Sequence, residues 1–388
     1  MKALNPLAVA TPHSGIREIV NMVVGRPDVL RLEIGQPSFD PPAHVAEAAL
    51  AAARRGGSGY TASAGMLALR ELLVEKLKTV NGIEANPQEV TVTVGAVGGI
   101  SLALLALCSA GDEILVPEVA WPNYEMMAIC LGLVARPYPC GRETGYLPDL
   151  AALDPPPGPR TKVLIINSPS NPAGVAFDRQ AIASVAEFAD LHDLWLISDD
   201  TYDQLIYEGE YVTPSTFVRE PRVISAFSFS KTYAMPGWRV GYIVAAEEVS
   251  QQIQKLMEPF VSCAPSVSQH AAIAALSGPQ DCVAEMRDAY RQRRDAGLAV
   301  LRQAGRDAYV PSGAFYMLLD IGDTGMDSRS FALRLLEEQS VAVAPGAAFG
   351  PAAEGLVRVC FAPDEAIVAE GLERLVRFAE KHSTARVA

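Results

Sequence analysis

Residues 223–239 read VISAFSFSKTYAMPGWR. An apolar, partly β-branched run ends at Ser228, a single lysine follows at Lys231, and Pro236 and Gly237 punctuate the chain before Arg239. The run has the composition of a buried strand. Lys231 lies on no helical stripe and in no run of like charge, yet taken alone it reads as an exposed loop lysine, and only the other strand ends shift that balance. Outward from this stretch the same design repeats. VTVTV (90–94), EILVP (113–117), KVLIIN (162–167) and LWLISDD (194–200) are short apolar runs separated by stretches of helical character. Near-continuous apolar strands with helical crossovers predict an α/β fold around a largely parallel sheet covered on both faces. Ligands of such sheets sit at the carboxyl ends of the strands. Asn167, Asp199 and Ser228 each end a strand here.

Helices are expected over 95–111, near 122–132 and near 178–191. DPPPGPR (154–160) reads as a loop or linker, because its prolines can join neither a helix nor a central strand. After residue 280 the pattern changes. An Arg-rich amphipathic helix (280–304), AFYMLLDI (314–321), a helix near 328–338, VRVCFA (357–362) and a final helix near 365–381 predict a smaller α+β unit packed on the large one.

The chain has 388 residues, 49% apolar and 20% charged, which suits a globular protein with a large core and favours two domains. Its net charge of −13, with no basic face, argues against nucleic acid as a partner. The most apolar run, GAVGGISLALLALCSAG (95–111), falls short of the roughly 20 apolar residues of a membrane span and reads as a buried helix. The N-terminal MKALNPLAVATPHSG is a poor signal peptide. The six cysteines (108, 130, 140, 263, 282 and 360) show no CxxC pair, so reduced, mostly buried thiols in a cytoplasmic protein are expected.

No GxSxG, GxxxxGK[ST], GxGxxG or HExxH occurs, and the five histidines are scattered, which disfavours a metal centre or a serine triad. What remains is a set of polar strand ends and one lysine. An amine becomes a useful nucleophile towards a carbonyl when it is desolvated or set beside other cations, and Arg239 lies close in sequence. Asp199 emerges from an apolar strand, which is costly unless it meets a cation or proton donor; a helix N-cap is the plainer alternative. NSPSNPAG (167–174), taken alone, reads first as a proline-punctuated loop with capping asparagines.

Taken together, NSPSNPAG, SDDTYDQLIY (198–207), SFSKTYAMPGWRVGY (228–242) and VRVCFA, in that order and spacing, resemble the fold type I pyridoxal-phosphate enzymes, specifically the class I/II aminotransferases. The resemblance starts at LEIGQPSF (32–39) and runs to the C-terminus. It implies Lys231 as the lysine that carries pyridoxal 5′-phosphate as a Schiff base, with Asp199 on the pyridine nitrogen and Tyr202 and Asn171 at the ring 3′-oxygen. Ser228 and Arg239 match phosphate ligands, as do the backbone groups of Gly95, Ala96 and Val97 in TVGAVGG (93–99) at a helix start. Trp121 stands where the family stacks an aromatic ring. Arg358 matches the arginine that takes the substrate α-carboxylate, beside Gly35, with Trp121 and Asn171 also at the substrate. Tyr60 resembles the tyrosine that reaches the neighbouring subunit's phosphate, which implies a homodimer.

The resemblance further implies an N-terminal arm (1–33) joined to the small domain, a large cofactor domain (34–280) and a small C-terminal domain (281–388). The expected reaction is ping-pong transfer of an amino group from an L-amino acid to a 2-oxo acid. Two departures matter. Asp-Asp-Thr-Tyr (199–202) replaces the family's usual Asp-Glu-Ile/Val-Tyr. Val97 stands where some dicarboxylate-specific relatives carry lysine, which leans the donor towards neutral or aromatic amino acids, with 2-oxoglutarate or pyruvate as acceptor. A carbon–sulfur β-lyase and an aspartate-type aminotransferase are the alternatives. A regulator on this fold would carry an added DNA-binding domain, for which no room is expected ahead of LEIGQPSF.

Overall fold

The computed structural model describes residues 2–218, 221–306 and 309–383; the other residues of the expected units lie outside these. The strands in chain order are β1 (Leu30–Arg31), β2 (Val90–Thr93), β3 (Glu113–Pro117), β4 (Val134–Tyr138), β5 (Thr161–Asn167), β6 (Trp195–Asp199), β7 (Val223–Ser228), β8 (Gly241–Val244), β9 (Tyr316–Asp320), β10 (Val341–Ala342), β11 (Ala344–Pro345) and β12 (Leu356–Cys360).

Seven of them form one sheet in the order β2-β8-β7-β6-β5-β3-β4. β8 runs against both its neighbours, and the other pairings are parallel. Alternation along the central strands supplies both faces with apolar side chains. Ile165 and Ile197 pack with Ile100, Ala103 and Leu104 of the helix Gly95–Leu107. Leu164, Ile166 and Leu196 pack on the other side with Ile182 and Val185 of the helix Arg179–Leu191. Each fully buried Ile or Leu contributes about 1.5–3 kcal/mol relative to exposure, so burial rather than strand propensity holds the sheet. β4 is an edge strand that apolar patterning does not announce, because Arg136 and Pro137 interrupt it; an edge tolerates proline where a central strand would not.

The polar strand ends converge because of register. Asn167 of β5 pairs across from Asp199 of β6, and Ser228 of β7 from Gly241 of β8. Since β8 is antiparallel, its start lies at the edge where β7 and β2 finish, and Gly241 also pairs with Thr93. Arg239, just before β8, is thereby delivered to the same edge as Ser228 and the start of the helix Gly95–Leu107.

A second, antiparallel sheet has the order β11-β12-β9, and β1 pairs in parallel with β10 through Leu30 and Val341. One core unites Ile19, Val23 and Leu32 near the N-terminus with Met317 of β9, Val357 and Val359 of β12, and the helices Asp281–Gln303 and Glu365–His382. The segment from Ile19 to Leu32 therefore belongs with the chain's last third, whereas the first helix, Pro6–Ala10, packs on the helix Asn123–Leu131. The thiols depart from expectation. All six cysteines are free, but only Cys140 and Cys360 are buried, three are half-buried and Cys130 is exposed. Cys130 lies off the stripe that its helix, Asn123–Leu131, buries through Tyr124, Met127 and Ala128. A free thiol's burial follows helix facing, which residue type alone does not specify.

Candidate active site

A cavity of about 770 Å³ opens at the carboxyl edge of the large sheet and extends to the second sheet. It is lined by Asn167, Asn171, Asp199, Tyr202, Ser228, Lys231, Arg239 and Arg358, together with Gly35, Ala96, Val97 and Trp121. Thus residues as far apart in the chain as Gly35 and Arg358 meet in one space. Tyr60 does not line it; its ring is 92% exposed.

Lys231 sits on the short helix Phe229–Thr232, which Ser228 caps by accepting a hydrogen bond from the Ser230 amide at 3.1 Å. Its Nζ donates to the Gly35 carbonyl at 2.6 Å. Removal from water pushes the amine down to about 8, the Arg358 and Arg239 guanidinium groups add to that, and Cys360 and Asp199 oppose it. Asp199 is buried at the end of β6. Its Oδ2 accepts from the Tyr124 hydroxyl at 2.7 Å, and its Oδ1 from the Thr201 hydroxyl at 2.7 Å and the Thr201 amide at 3.2 Å. Burial raises its pKa, while these donors and Lys231 act in the opposite sense. A carboxylate so placed has the cation or proton donor that its strand position requires.

Arg358 is 2% exposed. One amino group donates to Asn171 Oδ1 at 2.9 Å and the other to the Glu33 carbonyl, while the guanidinium stands 4.5 Å from the Tyr316 ring centroid and 4.8 Å from that of Phe349. Its buried Nε has no partner among the described residues. Part of the fork is therefore held in place and part is left to donate. The Tyr202 hydroxyl shares a 2.8 Å hydrogen bond with that of Tyr316. A Cβ at Gly35 would fall 1.8 Å from the same Tyr316 oxygen, so glycine alone lets this loop close over the pair.

Arg239 adopts a left-handed φ of 52° and donates to the Pro236 carbonyl at 2.9 Å. A Cβ at Gly95, itself at φ +70°, would stand 2.6 Å from the Arg239 guanidinium. The glycine lets the cation cross the first turn of the helix Gly95–Leu107, whose N-cap, Val94, brings no side-chain hydrogen bond. Free helix-start amides, a guanidinium and the Ser228 and Ser230 hydroxyls make a cradle suited to a phosphate.

Sequence reading missed Tyr124, Thr201, Tyr316, Ser14, Arg17 and Gln36, all of which line the cavity. Tyr124 carried a signal, since it lies one helical turn from Trp121 and their rings meet edge-on at 5.6 Å. Thr201 follows Asp199 by two residues, within reach of an Asx-type turn. Tyr316 carried none, because only the pairing of β9 with β12 brings it beside Arg358.

The family model for aminotransferase class I and II matches residues 27–375. The chain belongs to the class I and II aminotransferases. The aspartate/prephenate aminotransferase of Thermus thermophilus is 36% identical over 380 residues, covering 97% of each chain. The aromatic-amino-acid aminotransferase 2 of Thermococcus litoralis is 34% identical, covering 93% of this chain and 94% of that one. The solved structure of the Thermus thermophilus aspartate aminotransferase with maleate superposes at a TM-score of 0.91 and 34% identity, covering 97% of this chain and all of that one. This aminotransferase family uses pyridoxal 5′-phosphate. The residues present fit that group, since the phosphate cradle, an amine of lowered pKa at Lys231 and the buried Asp199 carboxylate all line one cavity.

The lowered Lys231 pKa has a direct consequence. Only the neutral amine attacks an aldehyde, so a lowered pKa makes the reactive form available at lower pH. If Lys231 is the lysine that captures pyridoxal phosphate, as the resemblance implies, the borohydride-fixed adduct of the cofactor-free aminotransferase is expected to rise with pH through a midpoint of about 8. A midpoint near the ordinary lysine value of about 10.4 would contradict the burial argument.

Proposed function

We propose that this aminotransferase moves an amino group by a ping-pong mechanism from an L-amino acid with a neutral or aromatic side chain to a 2-oxo acid. The observation that carries the proposal is Lys231, a partly buried amine enclosed with Asp199 and the Arg358 fork in one cavity. Pyridoxal phosphate, when bound, supplies the electron sink and carries the amino group between the two acids. Arg239, Ser228 and the amides at Ala96 and Val97 hold its phosphate. Asp199 would hold a proton at the ring nitrogen, and Tyr202 and Asn171 would donate at the ring 3′-oxygen. Arg358 binds the substrate α-carboxylate, oriented by Asn171 and backed by Tyr316. The Lys231 amine takes the proton from the substrate Cα as general base and returns it as general acid.

The donor assignment rests on the apolar part of the cavity lining, to which Ile16, Val20, Val97, Trp121 and Met126 contribute. The name of the Thermococcus litoralis relative agrees with an aromatic donor, and that of the Thermus thermophilus relative keeps aspartate open. Both relatives are named as aminotransferases, which favours transfer over β-elimination. We also propose a cytoplasmic homodimer, with Tyr60 turned from its own cavity towards a partner's, and a large domain over 34–280 flanked by small-domain segments at 1–33 and 281–388. The exposed Tyr60 ring, the free thiols and the β1–β10 pairing support these readings.

A half-reaction screen tests the substrate. Holoenzyme mixed with single amino acids is expected to convert its pyridoxal absorbance to that of pyridoxamine with an aromatic or neutral donor, releasing the matching 2-oxo acid. Release of pyruvate and ammonia from cysteine without a second oxo acid would instead establish a lyase.

A further inference from the structure

Asp199 is buried at the end of β6, and its two oxygens are not served alike. Oδ1 accepts both the Thr201 hydroxyl at 2.7 Å and the Thr201 amide at 3.2 Å, whereas Oδ2 accepts the Tyr124 hydroxyl at 2.7 Å. An ionised carboxylate offers about four acceptor sites, two on each oxygen. Thr201 therefore fills Oδ1, and the site left over is on Oδ2. Burial works against ionisation of Asp199, and the Thr201 hydroxyl leads the groups that oppose it, ahead of Tyr124, the Thr201 amide and Lys231. Burial also pushes the neighbouring Asp200 carboxyl well above the usual range, towards its neutral form. An isoleucine or valine at 201, the family's usual residue, would leave Oδ1 with the backbone amide alone.

We propose that Thr201 is a positioning residue acting through Asp199: its hydroxyl occupies Oδ1, so that Asp199 stays ionised, Oδ2 stays open, and the shared proton stays on the cofactor's ring nitrogen. This rests on the proposed site, in which Asp199 partners that nitrogen. Hydrogen bonds to a carboxylate are among the stronger kinds, and more so away from water. Without the hydroxyl the carboxylate is the more basic partner. The N–H bond then opens as an O–H bond forms on Asp199, and the pair as a whole keeps its one proton. Thr201 thereby governs how strongly the ring withdraws electrons without touching the reacting atoms.

The test uses holoenzyme prepared with pyridoxal phosphate carrying ¹⁵N at the ring nitrogen, read by NMR without turnover. Free pyridoxal phosphate in acid and in base supplies the positions of the protonated and the neutral ring. In Thr201→Val and Thr201→Ala the ratio of nitrogen-held to oxygen-held proton is expected to fall roughly tenfold or more, the size of one hydrogen bond to a charged group. The resonance then moves towards the neutral position. Thr201→Ser keeps the hydroxyl and is expected to stay at the wild-type position. Two hydroxyl-free variants are used so that loss of fit in one leaves the other to be read. A resonance that stays put without the hydroxyl, or that moves as far in Thr201→Ser, overturns the proposal. Failure of the Asp199 reading would look different, because Asp199→Asn would itself leave the resonance at the wild-type position.

Discussion

Lys231→Ala is expected to lose steady-state transamination by at least roughly 10⁴-fold, the upper end for a single general acid–base group. The loss should reach that end because the same amine is proposed both to attach the cofactor and to move the Cα proton. Its position makes substitution by another residue's chemistry implausible on geometric grounds. Among the cations lining the cavity, Arg239 and Arg358 are guanidinium groups, which do not deprotonate in proteins and cannot serve as a base. The variant should fold, because Lys231 contributes one hydrogen bond, to the Gly35 carbonyl, and sits on a helix of a single turn. Two measurements check the expectation. Steady-state rates should vanish into background, and borohydride treatment followed by denaturation should leave no cofactor on the chain. Turnover within about tenfold of wild type would remove Lys231 from the reaction.

Asp199→Asn is expected to cost about 3–5 kcal/mol of transition-state stabilisation, the size of removing one member of a buried charge pair, here the pair that Asp199 is proposed to make with the protonated ring nitrogen. That corresponds to a rate loss of roughly a hundredfold to several thousandfold. The asparagine keeps the volume but removes the charge. It also mismatches its neighbours, since Tyr124 and Thr201 all aim donors at the carboxylate oxygens. An amide presents one NH₂ where two accepting oxygens stood. Cofactor affinity should fall along with kcat, because Asp199 is proposed to hold the proton at the ring nitrogen. Spectral titration of pyridoxal phosphate and rates at saturating cofactor separate the two effects. A variant with full kcat at saturating cofactor would restrict Asp199 to binding.

The large sheet was legible because its strands are buried on both faces, and burial on both faces writes continuous apolar runs such as KVLIIN and VISAFS. The strand-end residues were legible for the same reason. A lone Asp199 or Lys231 after such a run stands out against it. β4 was not legible, since an edge strand covered on one side is free to carry Arg136 and Pro137. Tyr316 looked like one more aromatic of an apolar strand. Its hydroxyl becomes part of the site only through the pairing of β9 with β12 and its meeting with Tyr202.

Local pattern and motif order were enough for the class of fold and the aminotransferase family, and they singled out Lys231, Asp199 and Arg358, which the structure brings into one cavity, because each stands in a short segment whose residues are read together. Who faces whom across the cavity was decided by packing alone. The antiparallel course of β8 brings Arg239 back beside Ser228. The pairing of β1 with β10 anchors the N-terminal segment on the small unit and sets Arg17 at the cavity. More than two hundred residues separate Arg17 from Lys231, and no one-dimensional pattern encodes a contact that depends on which faces of two distant helices are buried.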